Sequence, residues 1–123
     1  MFRRPVTVLI EDILEAVEKI ERFTRDMDLG SFLTDDKTSD AVVRNFEIIG
    51  EAASRLPGDF RLQHSEIHWR KIIGLCHRIV HEYFGIDLRL VWQISRRDLP
   101  ELRSALMIVS RELKSENEAD RED

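Results

Sequence analysis

The chain has 123 residues, 35% of them charged, and a formal net charge of -5. That length suits one domain able to bury its own core, and the negative balance argues against holding long duplex nucleic acid by bulk electrostatics. A single cysteine excludes an internal disulfide.

No apolar stretch is long enough to span a bilayer, and the short apolar run "VTVLI" meets Glu11 and Asp12 at once. A cytoplasmic chain without membrane contact is therefore expected.

The first helix is predicted from about Pro5, a residue suited to a first helical turn, to about Met27. Ile10, Ile13, Val17, Ile20, Thr24 and Met27 form its apolar stripe. "DLGSFLTDDKTSD" reads as a loop, with Gly30 ending the helix and Thr34 to Asp36 offering caps for the next. A second helix is predicted over about Lys37 to Leu56, closed by Pro57-Gly58. Gly50 lies inside it, where a glycine costs helix stability, so close approach of a neighbouring helix is expected there.

A one-turn or irregular segment follows, to about Ile67. The third helix is predicted from about His68 to Tyr83 and broken by "FGID". Asp87 caps a short fourth helix to about Ile94, and Asp98-x-Pro100 restarts a last helix to about Lys114. The tail "SENEADRED" is mostly acidic and is expected to fray. The expected architecture is all-α, an up-and-down bundle of four to five antiparallel helices, as one domain over 1–114 with a disordered acidic tail over 115–123.

Charge along the chain is uneven. Arg61 to His81 holds Arg61, Arg70, Lys71 and Arg78 against one acid, Glu66, and also all four histidines. On a helical wheel Ile72, Ile73, Cys76, Ile79, Val80 and Tyr83 fall on one side. Arg70, Gly74, His77 and His81 fall on another, within roughly 60° of one another, with Arg78 beside them. Histidine can give or take a proton near neutral pH. Arginine holds phosphate in a bidentate fork. Together they are a sufficient kit for cleaving RNA without a metal or other cofactor.

Other readings of the same residues stay open. His64-x3-His68 and His77-x3-His81 have a spacing that can bring two imidazoles to one ion, which would make a metal protein. Cys76 points to the apolar side of the wheel and reads as a small core residue. Arg44, Glu47 and Glu51 form a ladder at i+3 and i+4 spacing, either surface ion pairing or support for the histidine face. Trp69 and Trp92 lie among aliphatic residues and read as core or dimer-interface anchors.

"AVVRNFEIIGEAASRLP" followed by "IHWRKIIGLCHRIVHEYFGID" resembles the HepT-like branch of the HEPN superfamily. The resemblance runs in layout from about Val6 to Leu113. It implies a homodimeric helical bundle that is the toxin of a toxin-antitoxin module, a metal-independent ribonuclease. Its implied partner is an MntA-type nucleotidyltransferase antitoxin that silences it by adding adenylate to a tyrosine (AMPylation).

The family's motif is Arg, four to six residues, His, any residue, Tyr. It maps the catalytic histidine to His81 and the modified tyrosine to Tyr83. The polar residue after the arginine maps to His77. The arginine position itself is Cys76, and a thiol offers no fixed cationic fork. Three consequences stay open: a weakened or inactive nuclease kept as a non-catalytic dimeric partner of the nucleotidyltransferase, replacement of the charge by Arg78 or Arg70, or its supply by the second protomer.

Overall fold

The computed structural model describes residues 4–81 and 85–122; the side chains of His81 and of residues 120–122 are outside this description. Every regular element among the described residues is a helix, and together they form an all-α bundle. There are seven: α1 (Val6–Thr24), α2 (Leu29–Thr34), α3 (Asp36–Arg55), α4 (Gly58–Gln63), α5 (Trp69–His81), α6 (Leu88–Arg97) and α7 (Leu99–Glu122).

α1 starts where proline predicts. Pro5 is its N-cap, and the Pro5 carbonyl accepts from the Leu9 N–H at 3.0 Å. The helix stops at Thr24, short of the expected Met27. Arg96 of α6 explains the early end: its guanidinium donates to the Thr24 carbonyl and, at 3.0 Å, to the Met27 carbonyl. The same guanidinium lies 4.3 Å from the centroid of the Trp92 ring. Orphan carbonyls at a helix end need such a partner.

The expected loop after α1 is in fact α2. Asp28 caps it, accepting from the Ser31 N–H at 2.8 Å, while the Ser31 hydroxyl accepts from the Asp28 N–H at 3.1 Å. Gly30 sits inside this helix and does not end the one before. Reciprocal capping satisfies two N-terminal donors, which is how so short a helix holds. Asp35 caps α3 without the reciprocal bond, its carboxylate accepting from the Thr38 N–H at 3.0 Å and from the Thr38 hydroxyl at 2.8 Å. Hydrogen bonds from Ser31 and from Thr38 hold the Asp28 and Asp35 carboxyls below the usual carboxylate range.

Asp87 caps α6 by accepting from the Leu90 N–H at 3.2 Å, and α6 continues to Arg97, beyond the expected Ile94. Gly85, with φ near +150°, supplies the break between α5 and α6 in backbone space that other residues avoid. The last helix continues past the predicted Lys114 to Glu122.

α1 packs on α3 and α7, α3 on α5, and α6 on α7, while α2 bridges α3 and α6. Ile10, Ile13, Val17 and Ile20 of α1 meet Val42, Phe46 and Ile49 of α3 in one buried core with Val91, Leu106 and Val109. Trp69 is buried and its indole N–H donates to the His64 carbonyl at 3.1 Å. Trp92 is half-buried against Phe32. Both are core anchors. No helix among the described residues is long and apolar enough to cross a membrane.

Candidate functional site

α5 is divided as its wheel predicts. Trp69, Cys76 and Ile79 are buried, and Ile72, Ile73, Leu75 and Val80 are half-buried. Arg70, Lys71, Gly74, His77 and Arg78 are exposed. The helix is amphipathic because its apolar residues recur at three- and four-residue spacing, and its buried side rests on α3.

The tightest contact between these helices is at Gly50 and Cys76. A Cβ built on Gly50 would lie 2.7 Å from the Cys76 Cβ and 3.8 Å from its Sγ. Gly50 is therefore required by packing, as its place inside a helix suggested. Gly50→Ala is expected to destabilise the chain by about 1–3 kcal/mol through overpacking, despite alanine's better helix propensity. Urea denaturation checks this, and adding Cys76→Gly should recover most of the loss. Additive effects of the two substitutions would count against the contact.

Cys76 is 4% exposed. Burial pushes its thiol up to about 12, with a smaller opposing contribution from the Gly50 backbone. The thiol is consequently neutral at physiological pH. It serves as a small apolar side chain, neither a nucleophile nor a phosphate contact. Ellman's reagent at pH 8 is expected to react with it only as fast as the chain unfolds. The unfolded thiol ionises near its ordinary value of 9.0 and the folded one near about 12. This group's contribution to stability is thus intact below pH 9 and is lost as pH rises from there toward 12.

A groove of about 360 Å³ runs between α3 and α5 beside that contact. Glu47, Glu51 and Ser54 line it from α3, and Ile73, His77 and Val80 from α5, together with Gly50 and Cys76. The predicted ladder on α3 is two separate pairs. Arg44 meets Glu47 at 3.2 Å, and Glu51 meets Arg55 at 2.9 Å. Sequence reasoning missed Arg55, although Glu51 to Arg55 is an i,i+4 pair. Such exposed pairs are worth a few tenths of a kcal/mol. Glu47 and Glu51 nonetheless face the same groove as His77.

The remaining predicted residues are placed as follows. Arg78 and Arg70 lie on the exposed side of α5. His81 is the last residue of that helix, one turn after His77. Tyr83 lies outside the described residues. His64 is stacked on Phe60 with ring centroids 4.5 Å apart, and its Nδ1 lies 3.6 Å from Glu66 and 4.0 Å from Glu112. His68 is exposed at the start of α5. Among the described residues, no three His, Cys, Asp or Glu side chains are grouped to hold a metal ion.

An all-helical bundle with a histidine- and arginine-bearing fifth helix packed on α3 is a recognisable class of small helical protein. A family profile described as "Ribonuclease HepT-like" matches residues 13–109. This chain belongs to the HepT-like family of the HEPN superfamily.

The chain is 46% identical over 94 residues to the probable ribonuclease HepT of Thermococcus cleftensis, covering 76% of this chain and 86% of that one. It is 37% identical over 109 residues to "Putative RNase MJ1380" of Methanocaldococcus jannaschii, covering 89% of this chain and 100% of that one. A third relative, "Gamma-glutamylcyclotransferase and putative RNase MJ0434" of the same organism, is 36% identical over 111 residues. That match covers 90% of this chain and 50% of the relative. No solved structure matches the chain.

Proposed function

We propose that this chain is the RNA-cleaving toxin of a HepT/MntA-type toxin-antitoxin module. It works as a cytoplasmic homodimer and without a metal. His81 takes the proton of the 2'-hydroxyl as its oxygen attacks the phosphorus and the bond to the 5'-oxygen breaks, the departing 5'-oxygen taking a proton from solvent, and His77 and Arg78 contact the phosphate. Arg70 supports them from two turns earlier on the same helix. Arg44, Glu47 and Glu51 shape the facing wall. Tyr83 is the residue that a partner nucleotidyltransferase adenylates.

The observation that carries this reading is the division of α5. His77 and Arg78 are presented outward beside the α3 groove, on a chain whose relatives include one named probable ribonuclease HepT. The buried Cys76 supports a second reading with the same surface, a non-catalytic dimer that only engages the nucleotidyltransferase. At that position the chain carries a neutral, inaccessible thiol where the family motif has a cation.

One set of cleavage assays separates the two, run in the presence of chelator on wild type, Cys76→Arg and Arg78→Ala. A cleaving wild type that loses activity with Arg78→Ala identifies Arg78 as the replacing charge. Cleavage by Cys76→Arg alone identifies a site intact but disarmed. If no form cleaves, the binding reading stands. Coexpression with an MntA-type nucleotidyltransferase tests Tyr83: adenylate mass increments should appear on wild type and be absent from Tyr83→Phe.

A further inference from the structure

A second surface lies at the other end of α5, away from the groove that His77 lines. Between α4 and the first turns of α5 is an open groove of about 850 Å³. Arg61, His68, Arg70 and Lys71 line it together with Leu62 and Trp69, and no carboxylate does. On a chain of net charge -5 this is a local reversal of sign.

The cations are not consumed by the fold. Arg44, Arg55 and Arg103 each have a carboxylate within 4.0 Å, whereas Arg61, Arg70 and Lys71 have none among the described residues. Arg61 also has its Nε shielded from solvent without a hydrogen-bond partner. The acids nearest in sequence are Asp59 to Arg61 and Glu66 to Arg70 and Lys71; neither is within 4.0 Å of these cations, and Glu66 lies 3.6 Å from the His64 Nδ1 instead. Cations held together without acidic partners repel one another, and a bound polyanion relieves that repulsion.

The groove is aligned with the candidate site. Arg70 to His77 and Lys71 to Arg78 are each seven positions apart, two helical turns, so two columns of basic side chains run about 10 Å along one exposed face. Gly74 lies between the members of these columns. A Cβ there would meet nothing within 4 Å. Unlike Gly50, it answers no packing need among the described residues, although glycine costs helix stability against alanine. Its effect is to leave the helix backbone open to close approach just where the columns pass it.

We infer that the α4–α5 groove binds the sugar-phosphate backbone of single-stranded RNA and leads it past Gly74 to His77 and Arg78. Single strands fit better than duplex, because the basic track is short and the rest of the molecule is acidic. Trp69 is buried and offers no stacking face, so binding is through phosphates and tolerant of sequence. This inference rests on the ribonuclease reading, and Arg61 and Lys71 are positioning residues with no part in bond cleavage.

The test is the full-length Arg61→Ala/Lys71→Ala double variant, with fold checked by circular dichroism. Affinity for a fluorescein-labelled single-stranded RNA of about 20 nucleotides is measured against salt. Loss of two phosphate contacts should weaken binding about tenfold or more and lower the log-log salt slope by about 1.4. In any form that cleaves, KM should rise while kcat stays.

Unchanged affinity and slope overturn the inference. So does a double variant that keeps its RNA affinity but loses self-association, which would assign the surface to a second copy. So does one that keeps it but loses an acidic protein partner. If the double variant binds RNA more weakly while neither wild type nor Cys76→Arg cleaves, the groove stands and the nuclease reading falls. If cleavage is seen with KM unchanged by the double variant, the reverse holds.

Discussion

Phe32→Ala is expected to lower the stability of the chain by about 3–5 kcal/mol, among the largest effects of any single substitution here. Phe32 is the only fully buried side chain of α2, at 0% exposure, and its ring meets Trp92 with centroids 5.2 Å apart. α2 touches both α3 and α6, and the Phe32–Trp92 contact is part of its hold on α6. Alanine would remove the ring and leave a cavity between elements whose backbones are already capped and fixed. Chemical denaturation should show a lower midpoint with an unchanged slope, and Phe32→Leu should recover more than half of the loss. A loss below about 1 kcal/mol would mean that α2 is peripheral to the fold.

The second large effect concerns chemistry. In whichever form cleaves RNA, wild type or Cys76→Arg, His81→Ala is expected to reduce kcat by about 10²–10⁴-fold. The fold should be unaffected, because the substitution falls on the final residue of α5. His77→Ala should cost less and should act on KM as well, since a phosphate contact is made before the transition state as well as within it. The pH profile of wild type should also lose one limb in His81→Ala. Equal losses from the two histidine substitutions, with an unaltered pH profile, would remove the proton-transfer role assigned to His81.

Much of this arrangement is legible in the sequence, and the parts that are not have physical reasons. The inward turn of Cys76 follows from helical periodicity alone. So does the grouping of Arg70, Gly74 and His77. Gly50 announced a close contact because glycine is disfavoured inside a helix, and the contact is there. α2 was hidden because "DLGSFLT" is too short for periodicity and has the composition of a loop. The spacing of Asp28 and Ser31 was its only local signal, a capping box with serine in place of the usual glutamate.

The early end of α1 could not be read locally. Its carbonyls are taken by Arg96, whose separation in sequence is 72 residues from Thr24 and 69 from Met27. The reading of the acidic tail followed composition, whereas α7 carries its helical hydrogen bonding onward without needing apolar contacts. The separate roles proposed for His81 and Tyr83 follow from family resemblance and not from periodicity or spacing. The basic window around α5 was visible as a count of residues. Its division between the groove that His77 lines and the separate α4–α5 groove required the fold.

The Gly50–Cys76 contact has a genetic consequence. The helices meet at the Cβ of residue 76, an atom cysteine shares with arginine, and Cys76 also lines the groove in which Glu47 and Glu51 wait. Cysteine codons become arginine codons by a single pyrimidine transition at the first base. Cys76 and the arginine that the family resemblance implies at this position are thus one base change apart.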